Sequence, residues 1–73
     1  MKIDAIGLIC PEPIMLLHKA IYEAKTGDVV ELIATDPASV RDVKKFCEFL
    51  NHELISSKKD EDKLIFKIKK ASK

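Results

Sequence analysis

Two glycines, two cysteines and a net charge of +1 in 73 residues are scarcities, and each removes a class of function. With only Gly7 and Gly27 there is no glycine-rich phosphate loop, so nucleotide binding has little basis. Cys10 and Cys47 are too few and too far apart for the disulfide framework of a small secreted domain, and their spacing is not the C-x-x-C of dithiol redox chemistry. Thirteen basic residues against twelve acidic ones give no general electrostatic reason to expect nucleic acid or an anionic membrane as the main partner. No apolar run approaches ~18 residues, and Asp4 interrupts the N-terminus early, so neither a membrane span nor a secretory signal is expected. A reducing cytoplasm, where a thiol stays free, is the expected compartment.

What is present describes a folded domain. Hydrophobic residues make up 47% and charged residues 34%, and residues 1–73 are expected to form one domain. A chain this short buries about 60% of the surface its unfolded form exposes. Lys2 to Ile6 alternates, with Ile3 and Ala5 on one face, and predicts a first strand. Ile14, Leu17, Ile21 and Ala24 recur at helical spacing between Pro11 and Lys25, and Thr26-Gly27-Asp28 supplies a stop. Asp28 to Ala34 predicts a second strand with Val30, Leu32 and Ala34 inward. Asp36 as N-cap and Pro37 at the first position open a second helix, running to about Asn51, with Val40, Val43, Phe46, Cys47 and Leu50 as its apolar stripe.

Glu53 to Lys59 and Lys63 to Lys70 predict two last strands around the acidic turn Asp60-Glu61-Asp62. From Lys58 onward seven lysines face three acids, the pattern of a solvated edge strand kept soluble by lysine. The order βαβαββ, with strands apolar on one side and charged on the other, predicts an α/β chain of the α+β two-layer type. Its four-stranded mixed sheet should carry both helices on one face.

The chemistry concentrates in Gly7-Leu8-Ile9-Cys10-Pro11-Glu12-Pro13. Pro11 suits the first position of a helix, which makes Cys10 the expected N-cap. There the positive helix end and its unpaired amides favour a thiolate. Pro11 and Pro13 have no N–H, so the nearest first-turn donors are Glu12 and Ile14. The Glu12 carboxylate opposes the thiolate, and the expected result is a modestly lowered Cys10 pKa. Cys47 lies in an apolar stripe and is expected to be structural. His18 and His52 do not combine with the cysteines at the short intervals of zinc motifs, so no metal and no cofactor are expected. His18 is read as a packed or edge histidine and His52 as interacting with the C-terminal carbonyls of helix two. No paired base can be argued from separation alone, which leaves one activated sulfur suited to accepting and passing on a sulfur atom. On the first helix, Met15 and Leu16 fall off the buried stripe and are expected to form an apolar docking rim beside Cys10.

Asp4-Ala5-Ile6-Gly7-Leu8 followed by Cys10-Pro11-Glu12-Pro13 resembles the C-P-x-P region of the TusA/SirA sulfur-carrier family. Thr35-Asp36-Pro37-Ala38 with Arg41-Asp42, and the segment Phe46 to Leu54, extend the resemblance and favour the TusA branch. It implies a sandwich similar to the C-terminal domain of translation initiation factor three. It also implies that Cys10 carries sulfur as a persulfide received from a cysteine desulfurase. A downstream relay protein then takes that sulfur, with 2-thiouridine formation in tRNA as the expected destination. Other relatives serve molybdenum-cofactor supply or sulfur oxidation. Such a carrier is a sulfurtransferase-type protein rather than a stand-alone enzyme, and a monomer without direct RNA or membrane binding is expected. The alternatives are an RNA-binding or protein-interaction module and a thiol redox sensor using Cys10 and Cys47.

Overall fold

A computed structural model describes residues 2–9 and 11–71. Its elements follow the expected order: β1 (Lys2–Ala5), α1 (Glu12–Glu23), β2 (Val29–Ala34), α2 (Ala38–Leu50), β3 (Glu53–Asp60) and β4 (Lys63–Lys69). Period-two alternation places Val30, Leu32 and Ala34 of β2 and Leu64, Phe66 and Ile68 of β4 on one face, where all six are buried. Leu17, Ala20 and Ile21 of α1 and Val43, Phe46 and Cys47 of α2 join them in a single core. Both helices therefore cover the same side of the sheet, and the sandwich has two layers. Complete burial of side chains such as Leu17, Leu32 and Phe66 stabilises the fold by about 1.5–3 kcal/mol each.

The sheet order is β1-β2-β4-β3. β1 runs parallel to β2, with Ala5 opposite Ala34, while β4 is antiparallel to both β2 and β3. This order corrects the expectation for the lysine-rich last strand: β4 is interior, and β3 is the edge. The lysines of β4 remain exposed because the outer face of the sheet is uncovered, so their role is to solvate a face rather than an edge. β3 carries a bulge between Leu54 and Ser56, and Ile55 within it is exposed.

Further features differ from the sequence reading. α1 stops at Glu23, short of the expected Lys25, because Ala24 is already extended (φ −74°, ψ 159°). The Lys70 ammonium donates to the Ala24 carbonyl there, supplying a cation to a helix C-terminus. Gly27, at φ +90°, instead makes the turn into β2, and its N–H donates to the Lys70 carbonyl at 3.0 Å. α2 begins at Ala38 with Pro37, not Asp36, at the N-cap, and its stripe is shorter than its periodicity implies, with Val40 and Leu50 exposed. A helix crossing a four-stranded sheet meets it mainly through its middle turns, here Val43, Phe46 and Cys47.

Candidate functional site at the start of the first helix

The connection from β1 to α1 is a short tied loop. The Ile6 N–H donates to Asp4 Oδ1 at 3.0 Å, the Gly7 N–H to Thr35 Oγ1 at 2.9 Å, and the Leu8 N–H to the Ala5 carbonyl at 3.2 Å. Gly7 adopts φ +83°, a left-handed conformation that a side chain would strain. Cys10 itself, and with it the expectation that it caps the helix, lies outside the described residues. Its neighbours nevertheless shift the helix start by one position. Pro11, at φ −100° and ψ 12°, stands at the N-cap, and α1 begins at Glu12 with Pro13 in its first turn. The N-cap has no side-chain hydrogen bond to the helix.

The Glu12 N–H donates to the Ile9 carbonyl at 2.9 Å, which commits one of the two amides expected to face the sulfur. Of that pair, Ile14 is the remaining candidate. Pro13 is fully buried and Pro11 and Glu12 are exposed, so one proline packs the helix start from inside while the carboxylate stays in water. Met15 is 62% exposed, and its amide donates to the Pro11 carbonyl at 3.1 Å. Leu16 is half-buried and packs against the core, which supplies the core assignment that helical periodicity alone withheld.

Beside Pro11 lies a groove of about 620 Å³ between α1 and α2. Pro11, Ile14, Phe46 and Phe49 give it an apolar lining, and Asp42, Lys45 and Glu48 contribute charge. Phe49 is 87% exposed, the largest value among the big apolar side chains described. The stripe reading passed over Phe49. Its signal was an aromatic one residue before the end of the stripe, on the helix flank that α1 approaches.

Cys47 sits on the inner side of α2, 4% exposed, and burial pushes its thiol up to about 11. It remains protonated and unreactive near neutral pH. His18 and His52 flank Phe46, the first edge-on at 5.8 Å between ring centres and the second stacked at 5.7 Å. His52 meets the C-terminal end of α2 as expected, its backbone N–H donating to the Cys47 carbonyl at 2.9 Å, while its Nδ1 accepts the Ala71 N–H at 2.9 Å. Its pKa is lowered by burial first, then by Lys70 and His18. Among the described residues, no three His, Cys, Asp or Glu side chains gather as metal ligands, and no helix is long and apolar enough to cross a membrane.

The family model described as Sulfurtransferase TusA matches residues 1–70, essentially the whole chain. The chain belongs to the TusA family. Among similar TusA proteins, the sulfur carrier protein TusA of Pseudomonas syringae pv. syringae is 44% identical over 71 residues, covering 97% of this chain and 84% of its own. That of Pseudomonas entomophila is 47% identical over 68 residues, covering 93% and 85%. The fold is shared with the crystal structure of a SirA-like protein from Desulfitobacterium hafniense, with a TM-score of 0.85, 26% identity and 96% of each chain covered.

Proposed function

We propose that this chain is a sulfur carrier whose Cys10 holds sulfur as a persulfide. The observation that carries the reading is its identity of 44% and 47%, over almost its whole length, to proteins named sulfur carrier. The site supports it: the C-P-x-P segment leads into α1, and the other cysteine is buried and held protonated. In the proposed step the Cys10 thiolate attacks the outer sulfur of a persulfide on a cysteine desulfurase. The donor's S–S bond breaks, its cysteine leaves as a thiolate, and Cys10-S-SH forms with the proton retained on the transferred sulfur. An acceptor thiolate on a relay protein repeats the exchange and regenerates the Cys10 thiolate. No net redox change and no dedicated base are required. The expected destination is 2-thiouridine in tRNA, and the expected compartment is the cytoplasm.

Direct transfer requires a partner to reach within bonding distance of Cys10. Met15 and the accessible part of Leu16, together with the groove that Pro11 shares with Phe49, are the docking surface of this proposal. An RNA-binding reading has less behind it. The outer face of the sheet presents Glu31, Ile33, Ile65 and Lys67 and no aromatic platform, since Phe66 points into the core. A redox pair is disfavoured by the burial of Cys47.

Intact mass after incubation with a cysteine desulfurase and cysteine tests the proposal. The protein should gain one sulfur atom, removable by a thiol reductant. A protein that gains no sulfur from an active desulfurase is not a carrier for it. Met15→Glu and Phe49→Glu should slow loading while sparing alkylation of Cys10 by a small reagent; unchanged loading would move the docking surface elsewhere.

A further inference from the structure

The loop Ile6–Ile9 leads in sequence to Cys10, so its anchoring bears on the proposed site. Three of its hydrogen bonds are local: Ile6 to Asp4 and Leu8 to Ala5 tie it to the strand it leaves, and the Ile9 carbonyl accepts from Glu12. The fourth reaches the end of the neighbouring strand. The Gly7 N–H donates at 2.9 Å to the hydroxyl of Thr35, 28 residues away. Thr35 follows Ala34, which is paired with Ala5, so the hydroxyl stands beside the point where the chain departs from β1. A Cβ at Gly7 would meet nothing within 4 Å, so glycine is needed there for its φ of +83° and not for space. That conformation accompanies an amide directed at Thr35. The next residue, Asp36, accepts the Ala38 N–H at the start of α2, and α2 supplies Phe46 and Phe49 to the groove. The contact thus couples the cysteine loop to the helix that forms the opposite side of the groove.

We infer that Thr35 is a positioning residue for Cys10. Its hydroxyl holds the Ile6–Ile9 loop, which leads in sequence to Cys10, against the β2–α2 connection. The inference rests on the sulfur-carrying reading for its purpose, but the brace can be measured without it. Thr35→Val keeps shape and strand propensity while removing the acceptor, and Thr35→Ser keeps the acceptor.

Amide exchange at Gly7, followed by NMR, should be roughly fivefold faster in Thr35→Val, the loss expected for one modest hydrogen bond. The maximal rate of sulfur loading from a desulfurase should fall by a similar factor with little change in the half-saturating donor concentration. Thr35→Ser should restore both. A merely structural threonine would lower thermal stability and leave the loading rate of the folded protein unchanged. Unchanged Gly7 exchange, or an unchanged maximal rate in folded Thr35→Val, overturns the inference. Should valine not fold, Thr35→Ala takes its place. If the parent protein does not load at all, the carrier reading fails. The positioning role then stands or falls on whether Thr35→Val alters Gly7 exchange and the pH profile of Cys10 alkylation.

Discussion

The two helices of this protein open with the same grammar, a polar residue followed by proline, and differ in how the first amides are satisfied. At α2 the side chain of Asp36 accepts the Ala38 N–H at 3.1 Å, and its backbone carbonyl takes the Ser39 N–H at 2.9 Å. That start is closed by its own carboxylate, with Ser39 buried behind it. Both N-caps are prolines, Pro11 and Pro37, and neither has a side-chain acceptor to offer; at α1 the residue before the proline in sequence is Cys10. One helix end is finished structurally. In the proposed function the positive end of the other favours a thiolate.

The sharpest way to break this comparison is to remove the sulfur. Cys10→Ser should abolish sulfur loading, read by intact mass. Cys47→Ser should load normally while losing roughly 1–3 kcal/mol of stability in a denaturant titration, because a hydroxyl replaces a buried thiol. Loading that followed Cys47 instead would reverse the assignment. Next in size is the closed helix start. Asp36→Ala should cost about 1 kcal/mol, a fall of about 4–8 °C in melting temperature for a domain of this size, without abolishing loading.

A smaller effect is expected at the open start. Pro13→Ala restores an amide in the first turn of α1, and should lower the pH at which Cys10 alkylation is half-maximal while the domain stays folded. An unchanged alkylation profile would mean that Pro13 only packs.

The smallest effect sets the far end of α2 beside its start. His52 has a lowered folded pKa, so below its ordinary value of 6.5 the unfolded chain binds the extra proton more readily. Its contribution to stability is complete above about pH 6.5 and is lost as the pH falls from there through the folded value. Protonation also removes the Nδ1 acceptor used by Ala71. Stability curves at pH 5 and 7 for the parent and His52→Gln should show a smaller difference in the variant. Equal pH dependence would place the titration elsewhere.

Much of the fold was legible because strands and helices advertise burial by their period. Leu64, Phe66 and Ile68 alternate with Ile65, Lys67 and Lys69, and all three of the first set are buried. Leu17 and Ile21 mark the inner side of α1 as reliably. Periodicity misjudged the ends of helices, where Val40 and Leu50 share the stripe of α2 but overhang the core. It also set Leu16 off the buried stripe and into a docking rim, although it packs partly on the core, since a half-buried side chain at the border of a stripe is placed by its neighbours rather than by its spacing.

By itself the sequence determined the order of the elements, the inward faces of the strands and of the middle turns of the helices, and that Cys47 is buried while Cys10 precedes a proline-led helix start. These are local consequences of backbone geometry and side-chain chemistry, set within a few residues of chain. Tertiary structure alone decided that the lysine-bearing β4 is interior, that Thr35 reaches Gly7, that Lys70 closes α1, and that Phe49 and Pro11 line one groove. Each joins residues far apart along the chain, and their meeting depends on the order in which strands pair and helices settle on the sheet.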